Sequence, residues 1–500
     1  MTDSNQATAP GVVKFKLNGC EVEAPKGATV MQICKREGVG LPHFCWHPGL
    51  SVAGVCRFCM VEVSGRPKLE IGCNLQISEG MEVSTESPKA KEAHKWALEF
   101  HLVNHPLDCP VCDQAGECGL QDYYMEVGKY QSQMKRPKVL KPKALDVGGD
   151  LVLDTERCIL CSRCVRFEEE VTKTQALGIF DRGDRSIIGI YPDKKIEHNY
   201  TDNLVDICPV GAFTSKSFRF KQRVWFLTEK AATCPGCATG CQVDVHAKPE
   251  VRKFFRLKPR QSEENGHWMC DVGRGMWRHL NREERFPHAK VGGAALSSDK
   301  ALEKIAETIK GLAASEIGLL LSAQYTVEEY EALLGLFCGK LGVKSVFQWR
   351  EPTEQIADFD GLLYRGDHNA NTQGLMKVLR AYGVNAVPTN QFDEVPKAGL
   401  KFILALVPEI PSTFPSLKGQ LKSLSELGTV SAWGLWHELD NLQFQSLVPL
   451  KGFAEKTGTF INYRGHEGKL EAKFPSPVNH AVDVSAAVAM LQKHIIKADR

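Results

Sequence analysis

The chain lacks any long apolar stretch, although 43% of its 500 residues are hydrophobic. Its longest apolar runs, such as Ile317–Leu321 and Phe402–Val407, are far shorter than the ~20 residues that a membrane-spanning helix needs. Met1–Pro10 has neither a basic start nor an apolar core, as a signal peptide would. We therefore expect a cytosolic chain without a membrane-spanning segment.

The chain also lacks an excess of charge and the motifs of nucleotide-binding proteins. Its 62 lysines and arginines nearly balance its 60 aspartates and glutamates, which leaves a net charge of +2. This balance gives no electrostatic reason to expect nucleic acid as a partner. No G-x-G-x-x-G follows a predicted strand and no P-loop is present, so the sequence predicts no dinucleotide or NTP site.

Cysteine is what the sequence has in abundance, with 18 residues. A cytosolic compartment keeps thiols reduced, so metal binding is a better explanation for them than disulfides. All but three of the cysteines fall into four groups. The remaining three, Cys20, Cys34 and Cys338, lie in apolar patterns and are predicted to be buried free thiols.

One group combines a histidine with three cysteines on a single short segment. Cys109, Cys112 and Cys118 follow His105 closely. Zinc accepts a Cys₃His set, and so does an iron–sulfur cluster in which His replaces one Cys. We predict His105 as the ligand because it leads directly into Cys109, and His101 as a core histidine. The segment alone leaves zinc and iron–sulfur open.

The group before it has the spacing C-x10-C-x2-C-x13-C, formed by Cys45, Cys56, Cys59 and Cys73. Plant-type two-iron ferredoxins have C-x4-C-x2-C and a distant fourth cysteine, so only the first loop is longer here. Glycines in these loops let the backbone approach a cluster closely. The spacing favours a two-iron cluster, and a zinc site is the alternative.

A third group is the incomplete pattern of a two-cluster ferredoxin. Cys158, Cys161 and Cys164 form the triplet of one run, and Cys208-Pro209 ends a second run. The ligands of the second cluster are replaced by Glu168, His198, Thr201 and Leu204. Because the fourth cysteine of each run ligates the other cluster, Cys208 completes the first set. This pattern predicts one four-iron cluster, and zinc does not account for it.

The last group, Cys234, Cys237, Cys241 and Cys270, has the spacing C-x2-C-x3-C-x28-C. Four thiolates suit a four-iron cluster. A zinc ribbon is the alternative, but it prefers two paired C-x2-C arms, and Cys270 stands alone.

The chain after about residue 295 alternates between strands and helices. Buried strands are predicted at 317–321, 344–349 and 401–407, with helices at 326–338 and 372–381. Such alternation is typical of a doubly wound parallel sheet.

A basic, proline-punctuated run, Lys135–Lys143, follows the His105 group. Prolines interrupt regular structure, and like charges prefer solvent. We predict a linker with a solvated charge run, and docking of an acidic partner is the alternative interpretation.

The order of the four groups resembles the large iron–sulfur subunit, also called the G subunit, of bacterial proton-pumping NADH:quinone oxidoreductase, respiratory complex I. The resemblance is close over residues 11–280 and includes the segments Cys45–Val63 and His105–Cys118. Phe453–Asn462 is similar to a segment common in molybdopterin oxidoreductases, although Tyr463–Lys469 departs from the expected continuation.

The resemblance implies a multidomain α+β architecture. It consists of a β-grasp two-iron ferredoxin-like domain (11–90), a His–Cys₃ four-iron domain (91–145), a ferredoxin-like four-iron domain (146–220), and a shortened α/β molybdopterin-oxidoreductase-like domain (221–500) that opens with a Cys₄ four-iron cluster (221–280).

The resemblance also implies a function. One 2Fe–2S and three 4Fe–4S clusters would relay electrons from a flavin- and NADH-binding partner toward quinone, without a catalytic side chain or molybdenum cofactor in this chain. The two-iron, Cys158 and His105 centres would act in that order, with the Cys234 centre off the path. Other peripheral-arm subunits would be its partners and its only link to the cytoplasmic face of the bacterial inner membrane. A subunit of an NAD-linked formate dehydrogenase or hydrogenase, and a zinc-stapled scaffold, are the alternatives.

Overall fold

The computed structural model describes residues 11–129, 131–132, 134–351, 355–389 and 399–496. The chain divides into two compact units, Met1–Trp225 and Phe226–Arg500. Both mix helices with sheets, so the class is mixed α and β. Within the described ranges, no helix has the length and apolar character needed to cross a bilayer.

The first unit is built from short strands and helices. Its strands are β1 (Val12–Leu17), β2 (Cys20–Pro25), β3 (Met60–Val63), β4 (Glu70–Ile71), β5 (Glu82–Ser84), β6 (Leu145–Asp146), β7 (Leu151–Leu153), β8 (Leu177–Phe180), β9 (Ile187–Ile190) and β10 (Phe213–Ser215). Its helices are α1 (Val30–Arg36), α2 (Pro88–Leu102), α3 (Gly119–Val127), α4 (Arg163–Glu170) and α5 (Asn203–Ile207). The strands form sheets of order β2-β1-β5-β3-β4, β10-β7-β6 and β8-β9.

The first sheet begins with a tight hairpin, and a capped helix follows it. β1 and β2 pair antiparallel around Asn18-Gly19, where both residues have positive φ. Thr29 and Gln32 form a capping box that starts α1. Cys34 is buried in the core beneath this sheet, as predicted. Cys20, in contrast, is exposed, so that prediction was wrong: it sits beside the turn on the edge strand β2.

The second unit contains the larger sheet. Its strands are β11 (Thr228–Thr233), β12 (Gln242–Lys248), β13 (Lys253–Pro259), β14 (Ala289–Val291), β15 (Ala294–Leu296), β16 (Ile317–Leu321), β17 (Ser345–Trp349), β18 (Val387–Thr389), β19 (Phe402–Leu406), β20 (Val430–Gly434), β21 (Ser446–Pro449), β22 (Gly458–Ile461) and β23 (Glu467–Leu470). Its helices are α6 (Asp271–Arg274), α7 (Trp277–Leu280), α8 (Ser298–Lys310), α9 (Val327–Leu334), α10 (Thr372–Ala381), α11 (Leu417–Ser425) and α12 (Val484–Ile496).

The central sheet has the order β15-β14-β21-β20-β19-β16-β17-β18, and its strands from β21 to β18 run parallel. Leu319 and Leu321 belong to a core shared with α8, α9, α10 and α12. Leu320 belongs to another core, which is shared with α11. Because neighbouring residues of a strand point to opposite faces, helices cover both faces, and the predicted doubly wound sheet is confirmed.

A buried charge cluster lies just beyond the carboxyl ends of β16 and β19, where the strand order reverses. The Lys456 Nζ atom lies 3.0 Å from a carboxylate oxygen of Glu329 and 3.2 Å from one of Glu409. It also sits 4.5 Å from the ring centre of Tyr325. Burial raises the pKa of Glu409 to about 7. Open α/β sheets bind ligands in this crevice, and here the chain's own ammonium group occupies it.

We expect Lys456→Met to lower the free energy of unfolding by about 3–5 kcal/mol, because it leaves two carboxyl groups buried without a counter-charge. Urea unfolding followed by the fluorescence of the buried Trp349 and Trp433 measures the change. Lys418→Met is the matched control, since Lys418 pairs with Glu438 at the surface and its loss should cost under ~1 kcal/mol. Equal effects of both substitutions would contradict the role of the cluster.

Candidate metal centres

The first four cysteines come together in the interior of the first unit. Cys45, Cys56, Cys59 and Cys73 are all buried. The Cys56 thiol donates to the Cys45 sulfur, which lowers the pKa of Cys45 to about 5 and raises that of Cys56. The Cys59 thiol likewise donates to Cys73 and lowers its pKa. The charge on Cys45 acts on Cys59 and Cys73 as well, so the two pairs are neighbours.

The ferredoxin-like group also converges, although Cys208 lies far along the chain from the triplet. Burial raises the pKa of Cys158 to about 12 and that of Cys161 to about 11. The pKa of Cys164 is raised first by burial and then by the charges of the other three sulfurs. Backbone amides oppose this trend: the Leu160 N–H donates to the Cys158 sulfur over 3.3 Å. The site therefore supplies hydrogen bonds that favour thiolates.

Other side chains fill the positions at which a second ferredoxin cluster would have ligands. Glu168 is fully buried, and one of its carboxylate oxygens lies 2.8 Å from the Nε2 atom of His198. The Thr174 hydroxyl donates to the other oxygen. Thr201 and Leu204, at the other two positions, are also buried. A satisfied carboxylate–imidazole pair, rather than thiols, therefore occupies two of these four positions.

The His105 group lines one largely apolar cavity of about 740 Å³ between α2 and the loops that follow it. His105, Cys109, Cys112 and Cys118 all border this cavity. Cys109 is exposed, and the other two thiols are buried. Burial raises the pKa of Cys118 to about 11.

The two histidines of α2 and its continuation have different surroundings. The Nδ1 atom of His105 is buried without a hydrogen-bond partner. Burial, helped by the charges of Lys138 and Arg157, lowers the pKa of His105 to about 4, so its ring is neutral, as a metal ligand requires. His101 instead lies 3.2 Å from the carbonyl oxygen of Cys56. A ring nitrogen is therefore free to ligate at His105, beside the three thiols.

Glycine keeps space open beside a sulfur atom of this group. A Cβ atom added at Gly211 would collide with the Sγ atom of Cys112 and would come within 3.1 Å of the Gln114 Cβ atom. Gly211 follows Cys208 closely in sequence. The loop that carries the last ferredoxin-like ligand therefore packs directly against the His105 group.

The fourth group opens the second unit. Cys234, Cys237, Cys241 and Cys270 are buried and border one small cavity. The Gly273 N–H donates to the Cys270 sulfur over 3.3 Å. Burial raises the pKa of Cys234 to about 12.

The structure thus brings together the members of each predicted set. In the ranges that the structure describes, no three or more His, Cys, Asp or Glu side chains form a ready site for a single metal ion. At the His105 set, the buried unpaired ring nitrogen and the glycine beside Cys112 fit ligation of a bound group.

Several cations that position the His105 loop were not predicted from the sequence. Lys138 donates to the carbonyls of Leu102 and Val103 at the end of α2, each over 2.9 Å, and these carbonyls lack helical partners. Lys143 pairs with Asp108 at 2.7 Å and Glu156 at 2.8 Å. Lys143 is exposed and Lys138 is half-buried, so these lysines keep contact with solvent. The Pro-rich sequence did not show which carbonyls and carboxylates they meet.

Arg223 is another residue that the sequence did not indicate. Its guanidinium donates to the carbonyl of Cys112 over 2.6 Å and also to that of Pro110. Arg223 and Cys112 are more than one hundred positions apart in the sequence, so no local signal could have identified this contact.

We expect His105→Ala to remove the spectroscopic signal of one iron–sulfur centre and His101→Ala to leave it, because only His105 has a free ring nitrogen among the three thiols. Electron paramagnetic resonance of the reduced protein measures the outcome. His105→Cys should restore a centre of lower potential, since a thiolate is charged and imidazole is neutral. The opposite pattern for the two alanine variants would show that His101 is the ligand.

Three family models match the first unit. A 2Fe-2S iron-sulfur cluster binding domain matches residues 11–88, the NADH-ubiquinone oxidoreductase-G iron-sulfur binding region matches 95–133, and the ferredoxin-like domain of NADH-quinone oxidoreductase subunit 3 matches 148–214. Domains that bind 2Fe–2S and 4Fe–4S clusters are therefore present.

Similar proteins carry related names. The mitochondrial NADH dehydrogenase [ubiquinone] iron-sulfur protein 1 of Solanum tuberosum is 38% identical over 67% of this chain and 46% of its own length. The G subunit of NADH-quinone oxidoreductase from Rickettsia felis is 34% identical over 63% of this chain and 47% of its own. The G subunit from Streptomyces coelicolor is 35% identical over 70% of this chain and 42% of its own. The chain spans about half the length of these relatives.

A solved structure is also similar in part. One chain of an NAD+-reducing [NiFe]-hydrogenase in the H2-reduced state is 30% identical, with a TM-score of 0.39, and the match covers 42% of this chain and 91% of that one. The family models and the curated relatives agree that the chain carries iron–sulfur domains of NADH-quinone oxidoreductase type. Over 63–70% of its length, this chain is similar to G subunits of NADH-quinone oxidoreductase.

Proposed function

We propose that this chain relays single electrons within an NADH:quinone oxidoreductase, complex I, from a flavin- and NADH-binding partner toward quinone. The observation that carries the proposal is that three predicted centres of the first unit are joined by direct contacts between residues adjacent to their ligands. Catalytic acids, bases or nucleophiles are not required for such a relay, because the protein only positions the centres and sets their potentials.

The residues divide into one two-iron and three four-iron sets. Cys45, Cys56, Cys59 and Cys73 would hold the 2Fe–2S cluster. The 4Fe–4S sets would be His105 with Cys109, Cys112 and Cys118; Cys158, Cys161, Cys164 and Cys208; and Cys234, Cys237, Cys241 and Cys270. These groups, when bound, accept and donate one electron at a time.

The ferredoxin-like set contacts the ligand loops of both other sets of the first unit. The Gly119 N–H donates to the Pro209 carbonyl over 3.0 Å, and these residues directly follow Cys118 and Cys208. On the other side, Arg166 donates to the carbonyl of Cys45 itself. These contacts support the order in which electrons enter at the Cys45 set, pass the Cys158 set and leave at the His105 set.

The Cys234 set would stabilise the second unit rather than carry electrons. Its cysteines join two arms of the chain that are separated by 28 residues, and metal ligation across such a loop contributes folding free energy. We interpret the remainder of this unit as a shortened molybdopterin-oxidoreductase-like scaffold without molybdenum. Lys456 in its sheet crevice supports that interpretation.

Electron transfer from NADH to quinone requires partner subunits in addition to this chain. We propose that it assembles with the other peripheral-arm subunits, at the cytoplasmic face of a bacterial inner membrane, and reaches the membrane only through them. A site for nucleic acid is not expected. Identifying the subunits that co-purify with the chain from membranes tests this assignment.

Substituting one cysteine in each of two sets distinguishes a set on the electron path from a set that only stabilises the fold. We expect Cys161→Ala to reduce NADH-to-quinone electron transfer to background while NADH oxidation by ferricyanide continues, because the flavin lies on a partner. The matched variant Cys237→Ala should lose one four-iron signal and some stability or assembly, yet keep near-normal quinone reduction per flavin in the complex that assembles. Activities and EPR spectra of the purified complexes provide both readouts.

Two results would contradict this assignment. Full quinone reduction in an assembled Cys161→Ala complex would show that the Cys158 set does not lie on the electron path. A stable, fully assembled Cys237→Ala complex that no longer reduces quinone would instead show that the Cys234 set lies on the electron path.

A further inference from the structure

We propose that Arg163 is a positioning residue that couples the two-iron and ferredoxin-like centres, by bridging their ligand loops and placing one positive charge between them. The inference rests on the proposed function, because it assumes that both sets hold clusters. It assigns a role to a side chain that ligates nothing itself.

Arg163 lies between two ligands of one centre and reaches the loop of the other. It is the first residue of α4, between Cys161 and Cys164. Its Nη2 atom donates to the carbonyl oxygen of Trp46 over 2.6 Å, and its Nη1 atom donates to that of Ile207 over 3.0 Å. Trp46 directly follows Cys45, and Ile207 directly precedes Cys208.

The bridge is therefore short and specific. From the Cys45 loop to the Cys208 loop it consists of two hydrogen bonds and one planar guanidinium. Arginine suits this position because its donors form a rigid fork, whereas lysine presents a single ammonium group on a flexible stem. The Nε atom of Arg163 is buried and has no hydrogen-bond partner, so the side chain is held by these two carbonyls on either side.

The charge of Arg163 is within electrostatic reach of thiols from both sets. Its guanidinium donates to the carbonyls of Trp46 and Ile207, which are adjacent to Cys45 and Cys208, so its charge lies beside both ligand loops. A cation in a low-dielectric interior interacts strongly with nearby charge. Each centre becomes more negative by one charge when it gains an electron, so this cation favours the reduced form of both. One electron lost at the Cys45 side is gained at the Cys208 side, and no proton or other group needs to move.

The neighbouring Arg166 is an internal control. It is buried, and it donates to the carbonyls of Cys45 and Ser51 and, over 3.3 Å, to the Ser162 hydroxyl. It thus holds the two-iron loop from the same helix, whereas Arg163 also holds the Cys208 loop. An effect of Arg163 on both centres, and of Arg166 chiefly on the two-iron centre, would distinguish coupling from a general loss of positive charge.

The experiment is an EPR-monitored redox titration of the assembled complex with Arg163→Gln, Arg163→Lys or Arg166→Gln. We expect Arg163→Gln to shift the ratio of reduced to oxidised centre about tenfold toward the oxidised form at fixed potential, for both centres. This equals a fall of about 59 mV in each midpoint potential for a one-electron couple. Arg163→Lys should keep both potentials within about threefold of the wild type, because the charge remains.

Arg166→Gln should lower the potential of the two-iron centre by more than that of the ferredoxin-like centre. The inference is overturned if Arg163→Gln shifts only one centre or neither, or if Arg163→Lys shifts both as far as Arg163→Gln does. If Arg163→Gln does not assemble, the lysine variant and Arg166→Gln still decide between these outcomes. Absence of both iron–sulfur signals from the wild-type protein would instead overturn the proposed function.

Discussion

The structure depends on bringing three or four sulfur atoms together in each set against their mutual repulsion. Burial raises the thiol pKa in three of the sets, to about 11 for Cys118 and Cys161 and to about 12 for Cys158 and Cys234, and neighbouring sulfurs raise it further. A cysteine that binds a metal does so as the thiolate, and the buried sites without a metal favour the neutral thiol instead. Binding of the metal and folding of these loops are therefore coupled.

Positive charge and backbone amides reduce this repulsion locally. The whole chain has a net charge of only +2, but several cations lie around the sets of the first unit. Arg163 and Arg166 hold the two-iron and ferredoxin-like loops, while Arg157, Lys138 and Arg223 surround the His105 loop. Most of them donate to backbone carbonyls, so the same contacts that hold the loops in place also set the charge around the sulfurs.

Spacing grouped residues that lie near one another in the structure, and their role as ligands stays a prediction. The two runs of the ferredoxin pattern paired Cys208 with a triplet far away in sequence, and the structure brings them together. The hydrophobic pattern predicted the parallel strands β16, β17 and β19 within a residue or two. These features are local or follow from a strong hydrophobic pattern.

The remaining features arise from tertiary contacts that no local signal encodes. Cys20 was expected to be buried, but strand order puts it on an edge. The lysines of 135–143 were expected in solvent, and Lys143 is indeed exposed. The sequence did not show that Lys138 and Lys143 also contact carbonyls and carboxylates of other segments. Arg163 was not singled out, since its two acceptors come from residues 46 and 207.

The most direct test of the account is the iron and acid-labile sulfide content of the chain, purified without oxygen. One two-iron and three four-iron clusters predict about fourteen irons per chain, with a matching amount of sulfide. Stoichiometric zinc without sulfide would contradict the redox function and would favour a zinc-stapled scaffold.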